Sequence, residues 1–230
     1  MTSPRHPLIT LAAILLLCCC ADRHSSSTCS AVLDRADTLI FTAPAEAAAL
    51  LDSIPADSLS DADNARRAVL LAKARSKCDI IFTPDSALLN AVDHYRGSGD
   101  SLEVQSLLYL GEAFKIAEDY SHALLTLNEA YSMAEERSDH FYAGMAARFN
   151  SDIYQQTIEA PQNIRWAYAS LRHFSMGGYR RHAEWAKIDI ANAYLNDSKC
   201  DKALLMLDSI DDSVDCYIGL YKKREQADAL

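Results

Sequence analysis

Several short stretches carry residue types that could do chemistry. Gly97-Ser98-Gly99-Asp100 has the glycine spacing of a loop that cradles phosphate. The Gly-Lys-Ser/Thr ending that supplies a phosphate loop's lysine and metal-binding hydroxyl is missing, so the stretch reads as a turn between helices. His182-Ala183-Glu184 has the outline of a zinc deaminase's His-x-Glu, but no Pro-Cys-x-x-Cys follows to complete the ligand set. The aspartates from Asp57 to Asp63 and from Asp208 to Asp215 lack the central Gly and terminal Glu of a calcium loop, and they are spaced like helix caps and linkers. Seven histidines are scattered without an HExxH or a pair at i, i+4. Gly-x-Ser-x-Gly is absent. Arg180-Arg181-His182, after Gly177-Gly178, reads as a solvated helix start, with a contact role as its alternative. No catalytic, cofactor or metal site is expected, and no enzymatic activity.

Composition narrows the class. Half the residues are hydrophobic, only seven glycines and six prolines interrupt them, and β-branched residues are sparse, so the chain reads as mostly helical. A net charge of −10 speaks against nucleic acid as a partner, because a phosphate backbone needs a basic surface. The N-terminus carries Arg5, then an apolar run from Leu8 to Leu17, then Cys18, Cys19 and Cys20. The run is shorter than the ~20 residues of a membrane span and fits a secretory signal. Leu17 and Cys19 stand three and one positions before Cys20, which favours lipoprotein cleavage and lipid attachment at Cys20; a plain signal peptide with incidental cysteines is the alternative. The expected organisation is a signal peptide over 1–20, a polar tether over 21–35 and a repeat domain over 36–230. Without the signal and its Arg5, 21 basic and 32 acidic residues remain, a net −11. An exported chain meets an oxidising compartment. Of Cys29, Cys78, Cys200 and Cys216, none forms a CxxC pair; they read as buried or free thiols, with a Cys200–Cys216 disulfide conceivable.

The chain repeats itself. The phrase "AAALLDSIPADS", from Ala47, returns as "ALLMLDSIDDS", from Ala203. Between them, "SLLYLGEAFKIAEDYSHALLTLNEAYSMAEE" splits into two amphipathic helices: Leu107, Leu110, Gly111 and Phe114 share one face of the first, and Ala123, Leu127 and Ala130 one face of the second. Gly111 and Ala123 are small enough to let two backbones approach. Ile190, Ala191 and Tyr194, then Ala203, Leu207 and Ile210, restate the pattern. So do Asn150, Ser151 and Tyr154, followed by Ala167, Leu171 and Phe174; here four extra residues are expected in the inter-helix loop, around Pro161. With Leu71, Ala72 and Arg75 upstream, the small residues step 72, 111, 151, 191, a period of 39 to 40. Ala47, Leu51 and Ile54 are then the second-helix signature of an earlier unit.

These residues resemble the tetratricopeptide repeat, with its large residue, Leu-Gly and aromatic on the first helix and its Ala, Leu, Ala on the second. "EDYSHAL", Glu118 to Leu124, is similar to that family's "GDYxxAL" turn, although the period exceeds the usual ~34 residues. Residues 40 to 225 further resemble exported, lipid-anchored tetratricopeptide proteins of Bacteroidetes-type bacteria. The resemblance implies an all-α, right-handed solenoid of helical hairpins whose concave groove is lined by first helices. The groove positions are Leu108, Glu112, Lys115, Arg148, Asp152, Gln155, Ile188, Asn192 and Leu195. They suit a peptide or protein ligand. They depart from the clamp some members use on a C-terminal carboxylate, because Leu108 and Glu112 stand where Lys and Asn are needed. The expected function is a non-enzymatic interaction scaffold, exported, membrane-anchored on the periplasmic or outer-membrane side, and taking no cofactor. The alternative is the extracytoplasmic input region of a longer signalling protein, since "CYIGLYKKREQADAL" begins a hairpin it does not complete. Delivery of ligands to an outer-membrane transporter is a third reading.

Overall fold

A computed structural model describes residues 29–229. These residues are helical with no strand among them: α1 (29–39), α2 (Pro44–Asp52), a 3-10 turn (Ala56–Ser58), α3 (Asp61–Lys77), α4 (Ser86–Tyr95), α5 (Ser101–Ile116), α6 (Tyr120–Glu136), α7 (His140–Gln156), α8 (Ala160–Met176), α9 (Arg180–Asn196), α10 (Cys200–Asp208) and α11 (Cys216–Asp228). None of the described helices is long and apolar enough to cross a membrane. The signal peptide and Cys20 lie outside the described residues. The polar tether expected over 21–35 is corrected in its second half: residues 29–35 belong to α1, because Leu33 and Ala36 are fully buried against α2 and α3.

The described residues form two compact units, 29–81 with 86–94, and 82–85 with 95–229. In the first, α1, α2 and α3 close over Leu33, Ile40, Ala47, Leu51, Leu70 and Ala74. Ser60 caps α3 by accepting from the Asp63 amide, and two acidic residues sit in its first turn, where the helix dipole favours them.

In the second unit neighbouring helices pack in series from α5 to α10, with α5 on α7 and α7 on α9 as well, and α11 against α9 and α10. One turn is reused throughout. Glu118, Ser138, Ile158, Gly178 and Ser198 are left-handed, and the amide after each donates five residues back, to Phe114, Ala134, Tyr154, Phe174 and Tyr194 at 2.8–2.9 Å. This is the Schellman closure of a helix end. It fixes a step of 20 residues per helix and turn, hence 40 per hairpin. Asp79, with Ile80 donating to Arg75, ends α3 the same way.

The small residues keep one distance from these turns: Ala72, Gly111, Ser151 and Ala191 each stand seven positions before the left-handed residue. Two expectations are corrected here. Pro161 is not in a loop but in the first turn of α8, where its missing N–H costs nothing. The connection Thr157-Ile158-Glu159 is as short as its neighbours. Ala167 is not the counterpart of Ala123. Twelve residues after Ser151 stands Asn163, buried, and the Ser151 hydroxyl donates to its Oδ1 at 2.6 Å. A hydrogen bond thus joins the two positions that Gly111 and Ala123 hold in the preceding hairpin, and Ala167 takes the place of Leu127.

The repeated phrase is a helix stop. Both α2 and α10 run nine residues, and Ser53 and Ser209 donate their hydroxyls three residues back, to Leu50 and Met206. Arg67 donates to the Leu51 carbonyl, and Lys187 to the Ser209 carbonyl, covering the chain end of each helix.

Candidate interaction face

The 40-residue step puts Glu112, Asp152 and Asn192 at one register position of α5, α7 and α9, and Leu108, Arg148 and Ile188 at another. The structure joins part of this set. Lys115 of α5 reaches Asp152 of α7 at 2.9 Å, and Arg148 of α7 reaches Asp189 of α9 at 3.1 Å. Lys115 also lies over the Phe149 ring, 4.6 Å from its centroid. These pairs link alternate helices rather than standing free for a ligand. Leu108 and Ile188 are buried and belong to the core, so as groove contacts they are corrected. Glu112 is buried too. Gln155 is exposed, Leu195 is half-buried against the α9–α11 core, and Asn192 is half-buried with an Oδ1 that has no hydrogen-bond partner.

Asp189, which sequence reasoning did not single out, is the electrostatic centre. Its carboxyl is raised to about 6, by burial first and by Asp152, with Arg148 opposing them. Arg148 is held above its ordinary value by Asp189 first, against burial, with Asp152 and Glu112 adding to the effect.

Other candidate sites are spent on structure. The amides of Gly97 and Gly99, both left-handed, donate to the buried Glu103 carboxylate, which Arg137 also pairs. That carboxylate is held below its usual range by Arg137 first and by the two amides, against burial. The turn therefore grips its own chain's anion where a phosphate loop would grip a nucleotide. Arg180 and Arg181 pair with Asp211 and Asp215, tying α9 to the segment before α11. Cys200 and Cys216 are exposed free thiols.

One cluster has no sequence signature. The His140 and His173 rings face each other, Nδ1 to Nδ1, at 3.3 Å, and His173 is buried. Around His173 Nε2 stand Arg172 at 3.0 Å, Tyr131 at 3.2 Å and Glu135 at 3.2 Å. Except for Arg172, these residues lie 33 to 42 positions from His173. Antiparallel packing brings the first residue of α7 to the last turn of α8, which spacing alone does not reveal.

Among the described residues no group of three or more His, Cys, Asp or Glu could hold a metal ion. Compared with protein-family models, curated proteins and solved structures, the chain matches none.

Proposed function

We propose that this chain is a non-enzymatic protein-interaction module: a right-handed, tetratricopeptide-like solenoid, exported and lipid-anchored through Cys20, that holds a peptide or protein segment along α5, α7 and α9. The observation that carries the reading is the repetition of one face at 40-residue steps, on helices that pack on one another as first helices would. Lys115–Asp152 and Arg148–Asp189 hold the spacing of that face. Gln155, Asn192 and Leu195 are left to meet the ligand, so recognition is by amides and an aliphatic side chain. With both cations paired to aspartates, a C-terminal carboxylate is a poor fit.

A photo-crosslinking residue at Gln155 tests this in cells, with the same group at the exposed Leu125 of α6 as control. Discrete adducts from position 155 and none from 125 are expected. No adduct at 155, or the same adducts at both positions, would sink the proposal. For the anchor, Cys20→Ala is expected to release the chain from the membrane fraction; a cleaved variant that still sediments with membranes would refute lipid attachment at Cys20.

A further inference from the structure

His173 Nε2 has partners that cannot all be satisfied in one protonation state. Arg172 Nη2 can only donate to it and needs its lone pair; the Tyr131 hydroxyl can donate to it or accept from it; Glu135 Oε1 needs Nε2 to carry a proton. In the neutral ring, Nδ1–H donates to His140 Nδ1, and Nε2 accepts from Tyr131 and Arg172. In the protonated ring, Nε2–H donates to Glu135, and Arg172 N–H at 3.0 Å becomes a donor facing a donor, with like charge on both. Arg172 is more than half exposed, so it can swing into water. Its other bonds run to Tyr131 at 2.9 Å and Glu135 at 2.6 Å and clamp α8 to α6 beside the His173 contacts.

We propose that His140, His173, Arg172, Tyr131 and Glu135 form a proton-operated latch in which the Arg172 clamp between α6 and α8 is closed when His173 is neutral and opened when a proton on Nε2 displaces Arg172, leaving the His173–Glu135 bond as the tie between the two helices. The facing groups are Tyr131 and Glu135 from α6, His140 from α7 and Arg172 from α8 itself; the His182 ring of α9 lies tilted against Phe174, the next residue along. Burial first, then the Arg172 charge, hold His173 below the ordinary imidazole range; Glu135 opposes them, and His140 adds to them. The latch is therefore closed at neutral pH and opens in acid.

Trp166 reports on it, because its ring meets Tyr131 edge-on at 5.0 Å. In the full chain carrying Trp185→Phe, Trp166 fluorescence is followed from about pH 8 to about pH 4.5, with far-UV circular dichroism recording the helix content. A single sigmoidal change is expected while helicity stays constant. Two surface-accessible variants give its sign. Arg172→Gln removes the competing cation and should move the midpoint up by about one pH unit. Glu135→Gln removes the negative charge that favours the proton and should move it down by a similar amount. A flat fluorescence curve in a folded protein, or a midpoint that neither substitution moves, overturns the latch.

Discussion

Gly111 has no room for a side chain. A Cβ there would lie 2.6 Å from Leu127 Cγ and 3.3 Å from the Leu127 amide nitrogen, and Leu127 is itself fully buried. Gly111→Ala should destabilise the protein by about 1–3 kcal/mol, the usual cost of overpacking, and the shift is readable as a lower midpoint in urea. An unchanged midpoint would mean that α5 and α6 separate freely. Asp189 makes a different prediction, whose sign follows from its direction. Its carboxyl binds a proton more tightly in the fold than its ordinary value of 3.8. The stability it lends is therefore fully present below that value and is lost as pH rises toward about 6. Asp189→Asn should remove a loss on the order of 1–3 kcal/mol over that window, so native and variant stabilities diverge as pH rises. Parallel curves would show Asp189 to be solvated. The comparison cancels His173, whose low value works the other way: its stability is present above the ordinary imidazole range and is lost in acid.

At the scale of the helix and its turn, one residue strains the repeating closure. Ile158 adopts φ +61°, a β-branched side chain in the left-handed region, where the equivalent turn two helices later is served by Ser198 and the next turn by Gly178. Ile158 is almost wholly exposed, so no packing compensates. Ile158→Gly should raise stability by about 0.5–1 kcal/mol, the relief of strain exceeding the entropy of a freer unfolded chain. A lower melting temperature would place a packing role on Ile158. The same turns explain what the sequence discloses. Gly111, Ser151 and Ala191 are visible as a register because each must pass close to a facing helix, and helical periodicity exposes that face. The Ser151–Asn163 pair hides, since a rule that asks for a small residue passes over an asparagine that meets a serine by hydrogen bonding. Pro161 misleads for a related reason: proline is excluded from helix interiors but welcome in a first turn. The groove set was legible as a row, yet which members pair, Lys115 with Asp152 and Arg148 with Asp189, depends on how α5, α7 and α9 lie against each other. His140 and His173 depend on that alone.

Over the whole of the second unit, contacts run chiefly between elements near in sequence, as expected where each hairpin rests on the next. Stability should then follow the register more than the length. Capping positions fall at Asp119, Asp139, Glu159, Tyr179 and Lys199, evenly spaced, so residues 140–179 are one full hairpin, α7 with α8. Deleting them joins Asp139 to Arg180 and seats α9 where α7 stood, with Ala191 in the position of Ser151. The deletion also removes Arg148 and leaves Asp189 without its cation, so Asp189→Asn belongs in the same chain. This shortened protein should remain helical and melt in one cooperative step, at a lower temperature than the parent. Deleting two residues fewer turns α9 by roughly 200° relative to its neighbours and aims Ala191 into water. That second chain should lose its cooperative melt while differing by only two residues. If both deletions melt alike, the helices are held by general hydrophobic burial, and the 40-residue register carries no structural weight.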